Sequence, residues 1–158
     1  MRTRTFLLII VLSITAVAAQ AQEIADIEKL VESSEFLFTA DRAFPSGGRT
    51  VDLMNRANKV EFNGDDARGD LAYFGTAHTA SAAYSSDGGG IKFDGEMTNK
   101  QIKVKKKKVI LSFKIKAPGE QYICSLTISP SGSATLAISS NNKSSISYNG
   151  AVKAIEEK

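Results

Sequence analysis

From residue 109 onward, apolar and polar positions alternate one by one. Val109, Leu111, Phe113 and Ile115 fall on one side of an extended segment, and Ser112, Lys114 and Lys116 on the other. That period of two is what a strand with one buried and one wet face requires. Tyr122, Cys124, Leu126 and Ile128 repeat the pattern after Pro118-Gly119, and Ala134, Leu136 and Ile138 repeat it after Pro130-Ser131-Gly132. Ile146, Tyr148 and Val152 close the series beyond the polar turn 139–143. Earlier in the chain, residues 35–40, 51–53, 58–62 and 65–71 read as shorter strands. Phe44-Pro45-Ser46-Gly47-Gly48 reads as a turn or loop, and Asn63-Gly64 as a hairpin turn. Residues 71–79 read as irregular and 85–90 as a glycine-rich loop, with Ile91-Lys92-Phe93 and residues 101–105 as two further strands. Only residues 22–33 change the period. Ile24, Ile27, Leu30 and Val31 recur there at three- and four-residue spacing, which predicts a short helix with one apolar stripe.

Strands joined by short turns predict a mainly β fold, an antiparallel up-and-down meander. Such a sheet loses its edges either by closing into a barrel or by folding over as a β-sandwich. No repeat or linker divides residues 22–158, which read as a single β domain. A barrel of about eight strands either fills its interior with side chains or leaves room for one small ligand. Phe62, Tyr73, Phe74, Phe93, Phe113 and Tyr122 are the aromatic residues that would line such an interior.

Residues 1–21 read as a cleavable signal peptide: Arg2 and Arg4, an apolar run from residue 6 to 17, then Ala19-Gln20-Ala21. A run of 12 residues, interrupted by Ser13 and Thr15, falls short of the ~20 that span a bilayer. The mature chain is expected in the periplasm or outside the cell, soluble, with no membrane span. Cys124 is the only cysteine and lies far from the cleavage point, so no lipid anchor is expected. Removing Arg2 and Arg4 leaves 18 cationic side chains against 17 anionic ones, a net +1. A nucleic-acid partner therefore loses its main support.

Enzyme chemistry finds little to use, and no cofactor or metal is expected. His78 is the sole histidine and lacks clustered ligands or a nucleophile elbow. Cys124 alternates with apolar residues, as a small buried hydrophobe would. Asp65 and Asp66 follow Asn63-Gly64 as turn residues, and Gly88-Gly89-Gly90 leads into a strand rather than a phosphate-binding helix. One charge feature stands out. Lys103, Lys105, Lys106, Lys107 and Lys108 lie in a stretch, 100–116, that holds no acid. They read as a hairpin tip, able to meet an anionic surface or simply to keep an edge soluble.

Leu71-Ala72-Tyr73-Phe74-Gly75-Thr76-Ala77, Gly89-Gly90-Ile91-Lys92-Phe93-Asp94-Gly95 and the ending Lys143-Ser144-Ser145-Ile146-Ser147-Tyr148-Asn149-Gly150 resemble a family of uncharacterised exported proteins of Bacteroidetes, domain of unknown function 4251. Phe38-Thr39-Ala40, with Pro45 a few residues on, also fits it. The resemblance implies a lipocalin-like barrel and no activity. The family's central motif is Leu-Pro-Tyr-Phe-Gly-Arg-Ala-Tyr. Ala72, Thr76 and His78 depart from it, so no role carries onto Thr76 or His78. Tyr73 and Phe74 read as a plug over one barrel end, with Gly75 giving the backbone its freedom, and Gly150 as a point of close approach or a bulge.

Two function classes follow. One is a binding module of the cell envelope, holding a small apolar ligand or lipid in the interior. The other is an envelope structural or interaction protein with a packed core, acting through its surface. The oligomeric state is not legible.

Overall fold

The computed structural model describes residues 22–53, 58–76 and 90–155. The expected signal peptide (1–21), His78 and most of the glycine-rich loop lie outside the described residues. Helix α1 spans residues 22–33 and leads directly into nine strands. These are β1 (Glu35–Pro45), β2 (Val51–Asp52), β3 (Lys59–Asn63), β4 (Asp66–Leu71), β5 (Ile91–Lys105), β6 (Lys108–Ala117), β7 (Glu120–Ile128), β8 (Ser133–Ser139) and β9 (Ile146–Ala154).

All pairings are antiparallel, in the order β1-β3-β4-β5-β6-β7-β8-β9, and β9 returns to pair with β1. The result is a closed eight-stranded barrel with β2 added beside the upper part of β1. Of the two ways to bury a meander's edges, this chain uses closure rather than a sandwich.

Two bulges reset the alternation. In β1, Phe36, Phe38 and Ala40 are buried; after the shift between Ala40 and Arg42, Ala43 and Pro45 take over. The one-residue slip lets β1 run on to Pro45, into the first two residues of the segment that the sequence pattern marks as a turn; the turn itself follows at residues 46–48, with Gly48 N donating to Pro45 O. In β5 the shift lies between Thr98 and Gln101, with Asn99 in a left-handed conformation (φ 54°). What read as two strands is therefore one of 15 residues. Its first half, Ile91–Glu96, pairs with β4 and its second half with β6.

The turns follow their residues. Pro118 and Gly119 (φ 74°) occupy the central positions between paired Ala117 and Glu120, as a type II turn asks. At β3–β4 the paired residues are Asn63 and Asp66, so the loop is Gly64-Asp65, one residue later than the dipeptide suggested. Gly64 (φ 62°) holds its first position.

The inward face is apolar. Phe36, Phe38, Phe62, Phe113, Leu111, Ile115, Leu126, Leu136 and Tyr148 are each under 2 or at 2 % exposed. Phe36 stacks on Phe62 at 4.4 Å, and Phe62 meets Phe113 edge-on at 5.7 Å. The Phe93 ring lies over Gly69, its cross-strand partner, where any Cβ would collide with it. Val31 of α1 is fully buried in this core, and Ile27 and Leu30 pack against it. The helix thus sets its apolar stripe where β1 begins. Most outward positions are charged or hydroxylated, with Ile123 an exposed exception, whereas a barrel that spans a membrane has an apolar outer band. Among the described residues no helix is long and apolar enough to cross one.

Closure needs Gly150. It pairs with Ala40 beside the β1 bulge, and a Cβ there would fall on the Thr39 carbonyl oxygen and the Ala40 Cα, both rigid backbone. Gly150→Ala is expected to destabilise the protein by at least about 2 kcal/mol. Urea unfolding of the purified variant checks this, and wild-type stability would show that the seam has slack.

Candidate functional site

The aromatic residues marked as ligand-lining do not form one wall. Phe62, Phe93, Phe113 and Tyr122 point inward, and none is more than 4 % exposed. They contact one another or neighbouring rings, with Phe93 and Tyr122 at 6.0 Å. Phe74 turns outward at 38 % exposed, so it is not part of a plug. Tyr73 is partly buried and packs against the core from the barrel end where β4 finishes and β9 starts.

That end is built around charge. Glu120 follows the Pro118-Gly119 turn, and Lys143 sits in the β8–β9 loop. Their ion pair is 2.7 Å long, with both side chains only 8 % exposed. Tyr122 Oη donates to Glu120 at 2.7 Å and accepts from Lys143 Nζ at 3.1 Å. Ser140 Oγ donates to the other carboxylate oxygen. The Lys143 ammonium also stands 5.5 Å from the Tyr122 ring centroid and 5.9 Å from that of Tyr73, within cation–π range. Tyr73 Oη donates towards the Thr76 and Ser144 carbonyls at 2.9 and 3.0 Å, tying segment 72–76 to the β8–β9 loop. Its ring curls over Gly75, which is needed for space and not for a left-handed backbone. Tyr148 Oη donates to Ala72 O at 2.8 Å.

Burial pushes the Glu120 carboxyl up, but hydrogen bonds from Lys143, Ser140 and Tyr122 and the Lys143 charge outweigh it and hold it below its ordinary range. Burial, with Glu120 beside it, raises the Tyr122 phenol far above its normal value. Burial alone pushes the Cys124 thiol up to about 12, as an inert core thiol would be. No buried polar side-chain atom among the described residues lacks a partner. The cluster works as a latch over one barrel end. Its two charged residues are 23 positions apart in the chain, and no local pattern announces the pair.

The lysines form a different kind of site. Lys105 pairs directly with Lys108, so the hairpin closes through Lys106 and Lys107 alone. Both take left-handed conformations (φ 49° and 60°), as a type I′ turn demands. Such a turn favours Asn-Gly, because a side chain in that region costs about 1–2 kcal/mol. Lys105 opposite Lys108 adds like-charge repulsion. Lys103, Lys105, Lys106, Lys107 and Lys108 are all exposed. Lys100 instead turns back to Asp65 (3.1 Å) and Ser34 (2.8 Å).

Elsewhere on the wall, charges cancel. Lys59, Asp70 and Lys92 align across β3–β5, as do Glu61, Arg68 and Asp94, around a groove of about 630 Å³. A second groove, about 450 Å³, runs between Phe44 and Ile123 over a floor of serines and Ala137. Among the described residues no group of three His, Cys, Asp or Glu side chains gathers as metal ligands would.

A family model described as "Domain of unknown function (DUF4251)" matches residues 18–152. The chain is also similar to a solved structure, a DUF4251 family protein from Bacteroides eggerthii, at 22 % identity. That similarity covers 87 % of this chain and 91 % of the other, with a TM-score of 0.65. None of the curated proteins matches.

Two measurements test these sites. Lys143→Met strands the Glu120 charge and is expected to cost roughly 3–5 kcal/mol, much of it recovered by Lys143→Met with Glu120→Gln. Because the folded carboxyl titrates below its ordinary value of 4.5, its stabilisation is present above that pH and is lost on acidification below it. Glu120→Gln should flatten that acid limb in urea titrations across pH. At the hairpin, Lys106→Asn with Lys107→Gly is expected to raise stability by about 1 kcal/mol or more and the melting temperature by a few degrees. A lower melting temperature would refute the strain assigned to that turn.

Proposed function

The chain belongs to the DUF4251 family, whose description names no activity, and from that premise we propose that it is an exported interaction protein of the cell envelope. Its core is packed, and it acts through its surface. The β5–β6 lysine hairpin is the contact element, and its partner is a polyanionic envelope component. One observation carries this reading: five exposed lysines, 103, 105, 106, 107 and 108, gather at one tip although the turn is strained and Lys105 faces Lys108. A tip needed only for solubility gains nothing from left-handed lysines, since Asn-Gly is polar and unstrained. The alternative of a ligand inside the barrel draws less support, because Phe62 stacks on Phe36 and meets Phe113 edge-on, so these inward rings are engaged with one another.

Each lysine near an anionic surface contributes about 1 kcal/mol. Replacing Lys105, Lys106, Lys107 and Lys108 by Gln is therefore expected to weaken attachment of the mature chain to anionic envelope preparations at least tenfold. Wild-type attachment should fall steeply as salt is raised. Attachment that is unchanged by the four substitutions and insensitive to salt would refute the proposal.

A further inference from the structure

Val104 is apolar, 46 % exposed, and flanked in sequence by Lys103 and Lys105. It pairs with Val109, which is buried at 1 %. Ile102, two residues earlier on the same side of β5, still packs against the core. Val104 is thus where the inward face of β5 runs past the end of the barrel and meets solvent among cations. An aliphatic side chain ringed by long cationic ones suits the boundary of an anionic bilayer: the apolar group enters the head-group layer while ammonium groups stay at the phosphates.

The surroundings point the same way. Next to the hairpin stands the β7–β8 turn, residues 129–133, which carries serines, a proline and a glycine and no charge. From Lys108 across β7 and β8 to β9 runs a groove of about 210 Å³, lined by the polar residues Lys108, Thr127, Ser129, Ser133, Thr135 and Asn149 and by Ala134 and Gly150. Hydroxyl and amide groups beside one ammonium are the chemistry that holds a phosphate with its hydroxylated substituent. Among the described residues, the acids of this barrel end lie at the β3–β4 turn, Asp65 (held by Lys100) and Asp66, and at the α1–β1 junction, Glu32 and Glu35.

We propose that this end of the barrel docks on an anionic lipid bilayer, with Val104 entering the head-group layer. Lys103 and Lys105–Lys108 meet lipid phosphates there, and one head group seats in the groove beside Lys108. The inference rests on the polyanion-contact reading above and names its partner.

The test compares two probes: phosphatidylcholine vesicles with and without phosphatidylglycerol, and soluble polyphosphate. The mature wild type should sediment with the phosphatidylglycerol vesicles and not with pure phosphatidylcholine. Val104→Ser should weaken that binding roughly fivefold, the equivalent of losing partial burial of one valine, and leave polyphosphate binding unchanged. Thermal unfolding of Val104→Ser confirms that the fold is retained. Binding to polyphosphate but not to vesicles, or vesicle binding indifferent to Val104→Ser, would overturn the bilayer assignment and leave the polyanion reading intact. Failure with both probes, together with lysine-independent envelope attachment, would remove both.

Discussion

The Thr39 carbonyl oxygen occupies the space where a side chain on residue 150 would begin. Everything else in the fold depends on this contact, because it lets β9 approach β1 closely enough to complete the ring of hydrogen bonds. The chain is an eight-strand meander, and without the seam it would end in two long unpaired edges. The β1 bulge at Ala40/Arg42 lies opposite the glycine and bends the strand to meet it. Asn58, buried at 1 %, steadies the same region: its backbone carbonyl accepts from Ala40 and its side-chain oxygen from Ala72.

Once the ring is closed, its interior is decided by volume. Nine large side chains from the strands are buried there, and Phe62 both stacks on Phe36 and meets Phe113 edge-on. Val31 of α1 joins this core from the end where β1 begins. The Glu120–Lys143 pair latches the opposite rim, with every buried polar atom there matched. The buried face is apolar, and the charged and hydroxylated side chains lie mostly on the wall and at the two rims. Across β3–β5 the two charged rows, one net +1 and the other net −1, offset each other, whereas the β5–β6 tip concentrates one sign of charge.

The alternation of β6 to β9 is legible, since Val109, Tyr122 and Ala134 each open an unbroken inward series, Ile146 opens one interrupted only at Gly150, and Pro-Gly or Pro-Ser-Gly marks two of the turns. The two strands misread, β1 and β5, are the two with bulges. A bulge moves the buried set to the other parity, so Asp41-Arg42 looks like a strand end and residues 94–100 like a gap between two strands when read locally. The lysine tip was recognisable from charge and turn logic; its left-handed backbone was not, because Lys-Lys carries no turn signature. Phe74 and Tyr73 are neighbours of similar character, yet one faces solvent and the other the core. Only the distant partner Ser144 separates them. The Glu120–Lys143 latch was invisible for the same reason: its strength comes from burial that the closed barrel alone supplies.

Hydrogen exchange of individual backbone amides, read by NMR under native conditions, tests the closed and packed barrel most directly. If the seam is integral, amides paired between β1 and β9 will exchange only through global unfolding, as slowly as those between β6 and β7. Fast exchange confined to β1 and β9, through an opening well below the global unfolding free energy, would contradict the account. It would describe instead a barrel that parts along one side and admits a ligand.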